Sequence, residues 1–462
     1  MKKLLLALSV LMGLCASAQN LTLYNMESVP QRFSVNPALD PDCKWYFGTP
    51  LLSSYNVGLS TNIIELNTDK YLLKNDNNDS LTFYPAGLFT SFDKNAYIRS
   101  DVGIEILNFG FRLHKSFFHL AITNKSKVRM ALPGDLFKFI GEGNGGSNLG
   151  YQFDFNVGTD VMSVNEYAIG YQRTSLGDRL KLGARLKYVQ GLAILETTKN
   201  DISLTTDPNS FAYKIKGDIE INAAAPFSLS SAAAGIATPN PEDILNSILS
   251  GSNNSGWGLD VGAHFELTER LNFSASVVDL GFVKWQKNTY RLKSKNPGAI
   301  FEFKGLDVRE LLDSNSGGAQ VIMDTIINTF AVDTSSGASF TTGLMGDMYA
   351  GATFKIFEKH KAGAVMQGNF YNKEFYPALT LSWNSRFGRV LGLSASYTMM
   401  RGNFFNAGLG LSFNAGPGQA YLISDNVVGN ITSNVKSINF RVGWNSTFGR
   451  KKTQKKKKDG KL

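Results

Sequence analysis

The feature that most constrains the fold is an alternation of apolar and polar residues, which recurs along the chain in segments of about ten residues. In residues 180–188, for example, Leu182, Leu186 and Tyr188 lie on one face, while Lys181 and Lys187 lie on the other. Residues 259–267, 405–413 and 438–448 repeat this pattern. Because successive side chains of a strand point to opposite faces, a period of two predicts β-strands.

A soluble β-sandwich also alternates, but further features favour a transmembrane barrel. Strands of about 9–11 residues are long enough to cross a hydrocarbon core at a tilt. The polar faces are rich in Gly, Ser and Asn, and the apolar faces carry almost no charge. Aromatic residues lie near strand ends, where interfacial girdles are expected: Trp285, Trp383, Trp444, Tyr397 and Phe448. After the first 18 residues no uninterrupted apolar run reaches 18 residues, which argues against membrane-spanning helices.

Short turns alternate with longer connections and predict the topology. The short turns lie at residues 114–116, 176–179, 268–270, 358–360, 386–389 and 415–418. Two strands lie between successive short turns, and the strands before the first turn and after the last bring the total to seven pairs, so the sequence predicts an all-β antiparallel barrel of about 14 strands. An even count places both termini in the periplasm and the long loops outside. Before residue 115, residues 45–61, 81–92 and 96–113 compete for two strand positions. Short helices are predicted in the long loops at 133–140 and 239–249, and residues 296–340 form another insertion.

The N-terminus predicts export. Lys2 and Lys3 precede an apolar stretch, and the small residues 16–18 form a cleavage site, so residues 1–18 are predicted to be a signal peptide. A lipoprotein signal ending at Cys15 is the alternative, which the bulky Leu14 disfavours. The mature chain then keeps Cys43 and forms no internal disulfide. The predicted order continues with a periplasmic or hatch segment at 19–44, the barrel at 45–449 and a basic periplasmic tail at 450–462.

The positive charge of the chain is concentrated in that tail. The formal net charge is +9, of which residues 450–462 contribute +7 and the signal +2, so the rest of the chain is neutral. Such a tail is either a solvated, disordered end or an electrostatic tether to an anionic partner. Export argues against nucleic acid as that partner.

Three sequence strings resemble known barrel families. The string at 35–39, which contains Asn36, Pro37 and Ala38, resembles the Asn-Pro-Ala element of FadL-like outer-membrane barrels and of PorP/SprF-like barrels linked to type IX secretion. Residues 419–426 and 436–443 resemble an uncharacterised Bacteroidota barrel family of that kind. The resemblance implies a Bacteroidota outer membrane and a 14-stranded FadL-like barrel, and it carries over no catalytic residue. Phe448 departs from the pattern because a 14-residue tail follows it.

Catalytic and metal-binding motifs were sought and not found in the sequence. The four histidines do not pair at metal-ligand spacing, and neither a phosphate-binding loop nor a nucleophile elbow occurs. We therefore predict no enzymatic activity, no cofactor and no metal. The candidate binding residues are charged side chains predicted to face the lumen, where such groups either pair with one another or line a pathway: Lys181, Arg185, Lys187, Asp260, Glu266, Lys355 and Arg441.

Two functions are compatible with these features. The first is a structural or partner-binding outer-membrane barrel in a cell-envelope or secretion complex, which contacts lipid through its wall and other envelope proteins through its outer loops and lysine tail. The alternative is a FadL-type transporter of small hydrophobic molecules. A hatch at 36–38 inside the barrel would favour transport, whereas a packed, charged lumen would favour the scaffold.

Overall fold

The computed structural model describes residues 21–62, 72–75, 80–83, 95–225, 253–305, 324–325, 328–371, 374–400, 403–427 and 437–450. The predicted signal peptide, the helix predicted at 239–249 and the lysines of the C-terminal tail lie outside these residues. Within them, no helix is both long and apolar enough to span a bilayer.

Strands dominate the secondary structure. Helix α1 spans Leu21–Tyr24, helix α2 spans Gly134–Glu142, and 3₁₀ turns span Pro30–Ser34 and Gly146–Asn148. The strands are β1 (Trp45–Gly48), β2 (Tyr55–Thr61), β3 (Leu72–Asn75), β4 (Ser80–Phe83), β5 (Asn95–Leu113), β6 (Ser116–Pro133), β7 (Gln152–Asp154), β8 (Gly158–Ser175), β9 (Leu180–Thr206), β10 (Tyr213–Ala224), β11 (Asn254–Glu266), β12 (Leu271–Trp285), β13 (Thr289–Ser294), β14 (Ala299–Phe303), β15 (Val332–Ser336), β16 (Phe340–Gly343), β17 (Asp347–Phe357), β18 (His360–Tyr371), β19 (Glu374–Phe387), β20 (Leu391–Met400), β21 (Asn403–Ala415), β22 (Gly418–Ser424) and β23 (Ser437–Phe448).

Antiparallel pairing closes a barrel of 14 wall strands. In order around the wall these are β1 with β2, then β5, β6, β8, β9, β11, β12, β16 with β17, and β18 to β23. The closing pairs are Trp45↔Phe448 and Tyr55↔Val442. The prediction of an all-β antiparallel barrel of about 14 strands is confirmed.

Of the three segments that compete for two strand positions before residue 115, the first and the third form wall strands. Residues 45–61 supply β1 and β2, and residues 96–113 lie within β5. The strand β4 pairs instead with β3 in a separate two-stranded sheet. The predicted loop helix at 133–140 corresponds to α2, which begins directly after Pro133.

A sheet extension projects beyond the end of the barrel that lies opposite the short turns. The strand β9 has 27 residues, more than a wall strand needs, and its second half pairs with β7 and β10. The strand β10 pairs in turn with β13 and β14, and β13 pairs with β15. We name the two ends of the molecule the short-turn end and the extension end.

The wall alternates as predicted except at β-bulges, and the bulge in β12 changes the place of a residue predicted to lie in the outer girdle. Trp383 and Trp444 are exposed on the outer face, but Trp285 is fully buried inside and donates a hydrogen bond from Nε1 to Thr342. Its predicted place in an outer girdle is therefore wrong. The physical reason is a β-bulge at Asp279, because one extra residue moves every later side chain of β12 to the opposite face.

Candidate functional site

The lumen of the barrel contains the N-terminal segment of the described chain. We name residues 21–43 the plug. Its apolar side chains are almost completely buried, including Leu21, Leu23, Val29 and Phe33 at 0% exposure. The plug continues directly into β1, so the chain enters the lumen from the short-turn end. Short helical turns rather than strands fill this space, and the wall glycines leave room for them.

Neutral hydrogen bonds connect the plug to inward side chains of the wall. Each bond joins a plug side chain to a wall residue far away in the sequence: Thr22 to Ser396 (2.7 Å), Tyr24 to Ser274 (2.9 Å), Asn25 to Ser382 (3.0 Å), Ser28 to Ser412 (2.7 Å) and Gln31 to Asn445 (2.9 Å). The Ser and Asn residues that make the inner face polar therefore serve as partners for the plug. Each such bond contributes only about 0.5–1.5 kcal/mol, so the plug is held by many weak contacts.

The predicted hatch residues lie inside the barrel, against its wall. Asn36 donates to the hydroxyl of Tyr24 (2.9 Å) and to the carbonyl of Ala275 (3.3 Å), and its Oδ1 accepts from the backbone N–H of Ala38 (2.9 Å). The approach to the wall is very close. A Cβ at Gly183 would lie 2.0 Å from the carbonyl oxygen of Pro37, and one at Gly262 would lie 2.1 Å from Oδ1 of Asn36. Only glycine fits at these two wall positions.

Ion pairs hold the plug at the short-turn end. Asp40 pairs with Arg112 and with Lys181 (3.1 Å), Glu27 pairs with Lys361, and Asp42 pairs with Arg386. In each pair the acid belongs to the plug and the base to the wall. The plug is therefore anchored by charge at this end and by neutral hydrogen bonds deeper in the lumen.

These ion pairs lower the pKa values of two plug carboxyls, those of Asp40 and Glu27. Burial alone would raise the pKa of Asp40, but Lys181 and Arg112 lower it to about 2. Burial acts in the same way on Glu27, whose pKa is lowered to about 2 by Lys361 and Arg32. Both plug anchors are therefore ionised at neutral pH.

A network of buried charges lies beyond the plug. Lys187 and Asp260 are both fully buried and pair at 2.7 Å, and Lys187 also pairs with Glu166 (3.3 Å) and Asp279. Arg185 pairs with the other oxygen of Asp260 (3.1 Å). Because each buried ion has oppositely charged neighbours, the desolvation cost of the cluster is offset within it.

The network continues across the lumen through two acids. Asp279 also pairs with Lys125 (3.0 Å) and Lys127 (3.1 Å), and Asp347 pairs with Arg99 (3.2 Å) and Lys127 (3.6 Å). Asp279 has a φ of 60°, which few non-glycine residues adopt. This bulge aims its carboxylate at three lysines from two other strands.

The structure distributes the seven charged candidates over three places. Arg185, Lys187 and Asp260 lie together in the buried network. Lys181, Glu266 and Lys355 lie at the short-turn end, and Arg441 donates to Ser54, which directly precedes β2 (2.9 Å). Sequence reasoning missed Glu166, Asp279, Lys125 and Lys127. The break in alternation at Val277-Val278-Asp279 was the available signal for the most central of them.

Two spaces remain in the lumen. A central cavity of about 80 Å³ is lined mainly by polar and charged groups, including Glu105, Lys125 and Asp279. A second pocket of about 30 Å³ lies toward the extension end and has a more apolar lining that includes Met400, Pro377 and Ala378. Gln367 lines both spaces. Among the described residues, no group of three or more His, Cys, Asp or Glu side chains has a geometry that could hold a metal ion.

Fold and site together define a closed antiparallel β-barrel with an apolar outer face, whose lumen is occupied by residues 21–43. The chain belongs to a family of unknown function, DUF5723, whose model matches residues 37–425.

Solved structures similar to this chain include two toluene transporters and a FadL homologue. The Pseudomonas putida toluene transporter TodX matches with 10% identity and a TM-score of 0.40, covering 91% of this chain and 95% of that one. The Ralstonia pickettii toluene transporter TbuX matches with 10% identity and a TM-score of 0.39, covering 91% and 94%. A Pseudomonas aeruginosa FadL homologue matches with 9% identity and a TM-score of 0.39, covering 92% and 96%. No curated protein matches the sequence.

Proposed function

We propose that this protein is an outer-membrane transporter for small molecules with a largely apolar body, and that the plug closes its periplasmic side. The short-turn end then faces the periplasm and the sheet extension faces outward. The observation that carries the proposal is the second pocket. It has a mainly apolar lining and lies in the lumen on the side away from the plug. While the plug is docked, the free volume of this pocket is about 30 Å³, against about 300–1,000 Å³ for small-molecule sites, so the pocket must widen before a solute can enter.

The path beyond this pocket is polar, which limits what can pass while the plug is docked. Arg99 lines the pocket and pairs with Asp347, which lines the central cavity. An apolar solute gains little by entering a charged cavity that the plug closes below. Transport therefore requires the plug to move, and its many weak hydrogen bonds suit a segment that is docked reversibly.

Co-purification followed by a pocket-filling substitution tests the proposal. Protein extracted from native membranes should carry a small apolar ligand that mass spectrometry detects. Ala378→Phe should abolish that signal, because Ala378 is buried in the pocket lining. Ala350→Phe is the matched control, because Ala350 is exposed on the outer face. Equal ligand content in both variants would exclude the pocket as the binding site.

The scaffold function is the second candidate, and the sheet extension favours it. The strand β15 is exposed throughout. Two apolar side chains elsewhere in the sheet extension are also exposed, Phe211 before β10 (64%) and Ile300 in β14 (63%). Exposed apolar side chains on a projecting sheet are typical of protein contacts. A stoichiometric partner that co-purifies with the native protein and is lost in Ile300→Lys would support this function. The proposed type IX secretion link and Bacteroidota origin remain predictions.

A further inference from the structure

A wide vestibule opens at the short-turn end, beneath the turn of the plug at Met26–Ser28. Its volume is about 380 Å³, and its walls come from the plug, the turn between β17 and β18, the end of β19 and the start of β20. Four basic side chains line it: Lys355, Lys359, Lys361 and Arg386. They lie on separate structural elements, so the positive charge is spread over the vestibule rather than focused at one point.

The acids that face these four bases belong mostly to the plug. Lys361 pairs with Glu27 and Arg386 pairs with Asp42, both plug residues, whereas Lys355 pairs with the wall residue Glu358 (3.1 Å). Without the two plug acids, the residues that line the vestibule comprise four bases and one acid, Glu358. The vestibule is therefore most attractive to an incoming acid that competes with the plug.

The C-terminal tail starts at the same rim and has the same sign of charge. The last wall strand ends at Phe448, which stacks on Trp45 at the start of β1, and Arg450 donates to Thr447. Residues 451–462 follow with seven lysines and one aspartate. A basic tail is a poor occupant of a basic vestibule, since like charges repel. It instead enlarges the positive region that an acidic partner would meet.

We propose that the vestibule is the docking site for an acidic, extended peptide segment of a periplasmic partner. Carboxylates of that segment replace Glu27 at Lys361 and Asp42 at Arg386, which loosens the plug anchors on the same side. A peptide fits better than a single small anion, because the four bases are distributed over a volume larger than one anion fills. The proposal holds for either function above and does not depend on the transported solute.

Binding of a decaglutamate peptide to the full-length protein in zwitterionic nanodiscs tests the proposal. Fluorescence anisotropy at low salt should show binding that weakens as salt is added. The combined variant Lys355→Gln, Lys359→Gln and Lys361→Gln should weaken binding at least about tenfold, because it removes three of the four bases that line the vestibule, including the proposed partner Lys361. The control removes three lysines from the extension end, Lys214→Gln, Lys216→Gln and Lys293→Gln, and should leave binding within about twofold, since these sites lie beyond the reach of screened charge.

A second variant gives an effect of opposite sign. Glu27→Gln keeps every base and removes the competing acid, so it should tighten peptide binding about three- to tenfold. Folding of each variant is checked by heat-modifiable gel mobility. Because Glu27→Gln is predicted to gain affinity, a folding defect cannot imitate its expected result.

The buried thiol of Cys43 reports whether the peptide loosens the plug. Cys43 is 2% exposed and adjoins Asp42, so maleimide labelling should accelerate when decaglutamate is added to the wild-type protein but not to the triple vestibule variant. The proposal is overturned if the triple variant binds as tightly as its control. It is also overturned if inorganic phosphate competes as well as the peptide, or if deletion of residues 451–462 alone removes all binding.

Discussion

Replacing Gly183 by valine should drive the hatch residues away from the wall while the barrel stays folded. Gly183 lies in β9 and faces the plug, and a Cβ there would lie 2.0 Å from the carbonyl oxygen of Pro37 and 2.3 Å from its carbonyl carbon. Real Cβ contacts essentially never fall below 3.0 Å, so Pro37 must retreat by at least about 1 Å. The two branches of valine increase that displacement.

The plug should yield rather than the wall. Gly183 is paired with Gln172 on one side and Gly262 on the other, so β9 is fixed by backbone hydrogen bonds from both neighbours. The plug around Pro37 is held by hydrogen bonds from Arg185 to the carbonyl of Ser34, from Ser276 to that of Val35, and from Asn36 to that of Ala275. At about 1 kcal/mol each, these contribute about 3 kcal/mol.

Overpacking typically costs about 1–3 kcal/mol, which is similar to the hydrogen bonding that holds this part of the plug. Since 1.4 kcal/mol is a factor of ten, the undocked population should rise about fivefold to 150-fold. Conductance in planar bilayers should increase, and Cys43 should be labelled faster by maleimide. Gly103→Val is the matched control, because Gly103 also faces the lumen but its nearest neighbour, Cβ of Asn56, is 3.7 Å away.

The reasoning is refuted if Gly183→Val retains heat-modifiable mobility and yet shows the conductance and thiol labelling of the wild-type protein. In that case the plug would adapt within the lumen without undocking. If Gly103→Val showed the same increase as Gly183→Val, the effect would belong to the wall strand and not to the plug.

Three further predictions concern charge. In the docked plug the pKa values of Asp40 and Glu27 are about 2, against ordinary values of 3.8 and 4.5. Docking is therefore stabilised above about pH 4.5 and loses this stabilisation as the pH falls to about 2, so conductance should rise between about pH 4.5 and pH 2 and stay constant between about pH 6 and pH 8. Asp279→Asn removes an acid shared by three lysines and should lower the free energy of unfolding in urea by about 3–5 kcal/mol, whereas Asp333→Asn, at an exposed pair, should change it by less than about 0.5 kcal/mol. Deletion of residues 451–462 should leave barrel folding intact, and loss of heat-modifiable mobility in that truncation would show that the tail is structural.

The sequence by itself determined the wall of the barrel. Alternation is a local property, because each strand exposes one face to lipid and one to the lumen whatever its neighbours are. The short turns then set the strand order, since each turn joins two adjacent antiparallel strands. Strand count, closure and the polarity of the interior follow from these local signals, and all three are found in the structure.

Tertiary structure alone decided what fills the lumen and which charges meet there. The bulge at Asp279 inverted the faces of the strand after it, so Trp285 moved inside and Asp279 met Lys125 and Lys187 from other strands. The plug likewise depends on partners hundreds of residues away, as in the contact of Thr22 with Ser396. Such contacts arise only when the wall closes, because closure brings residues distant in sequence to opposite sides of one small space. The local break in alternation at residues 277–279 indicates a bulge, but it does not indicate which residues of other strands the bulge brings together.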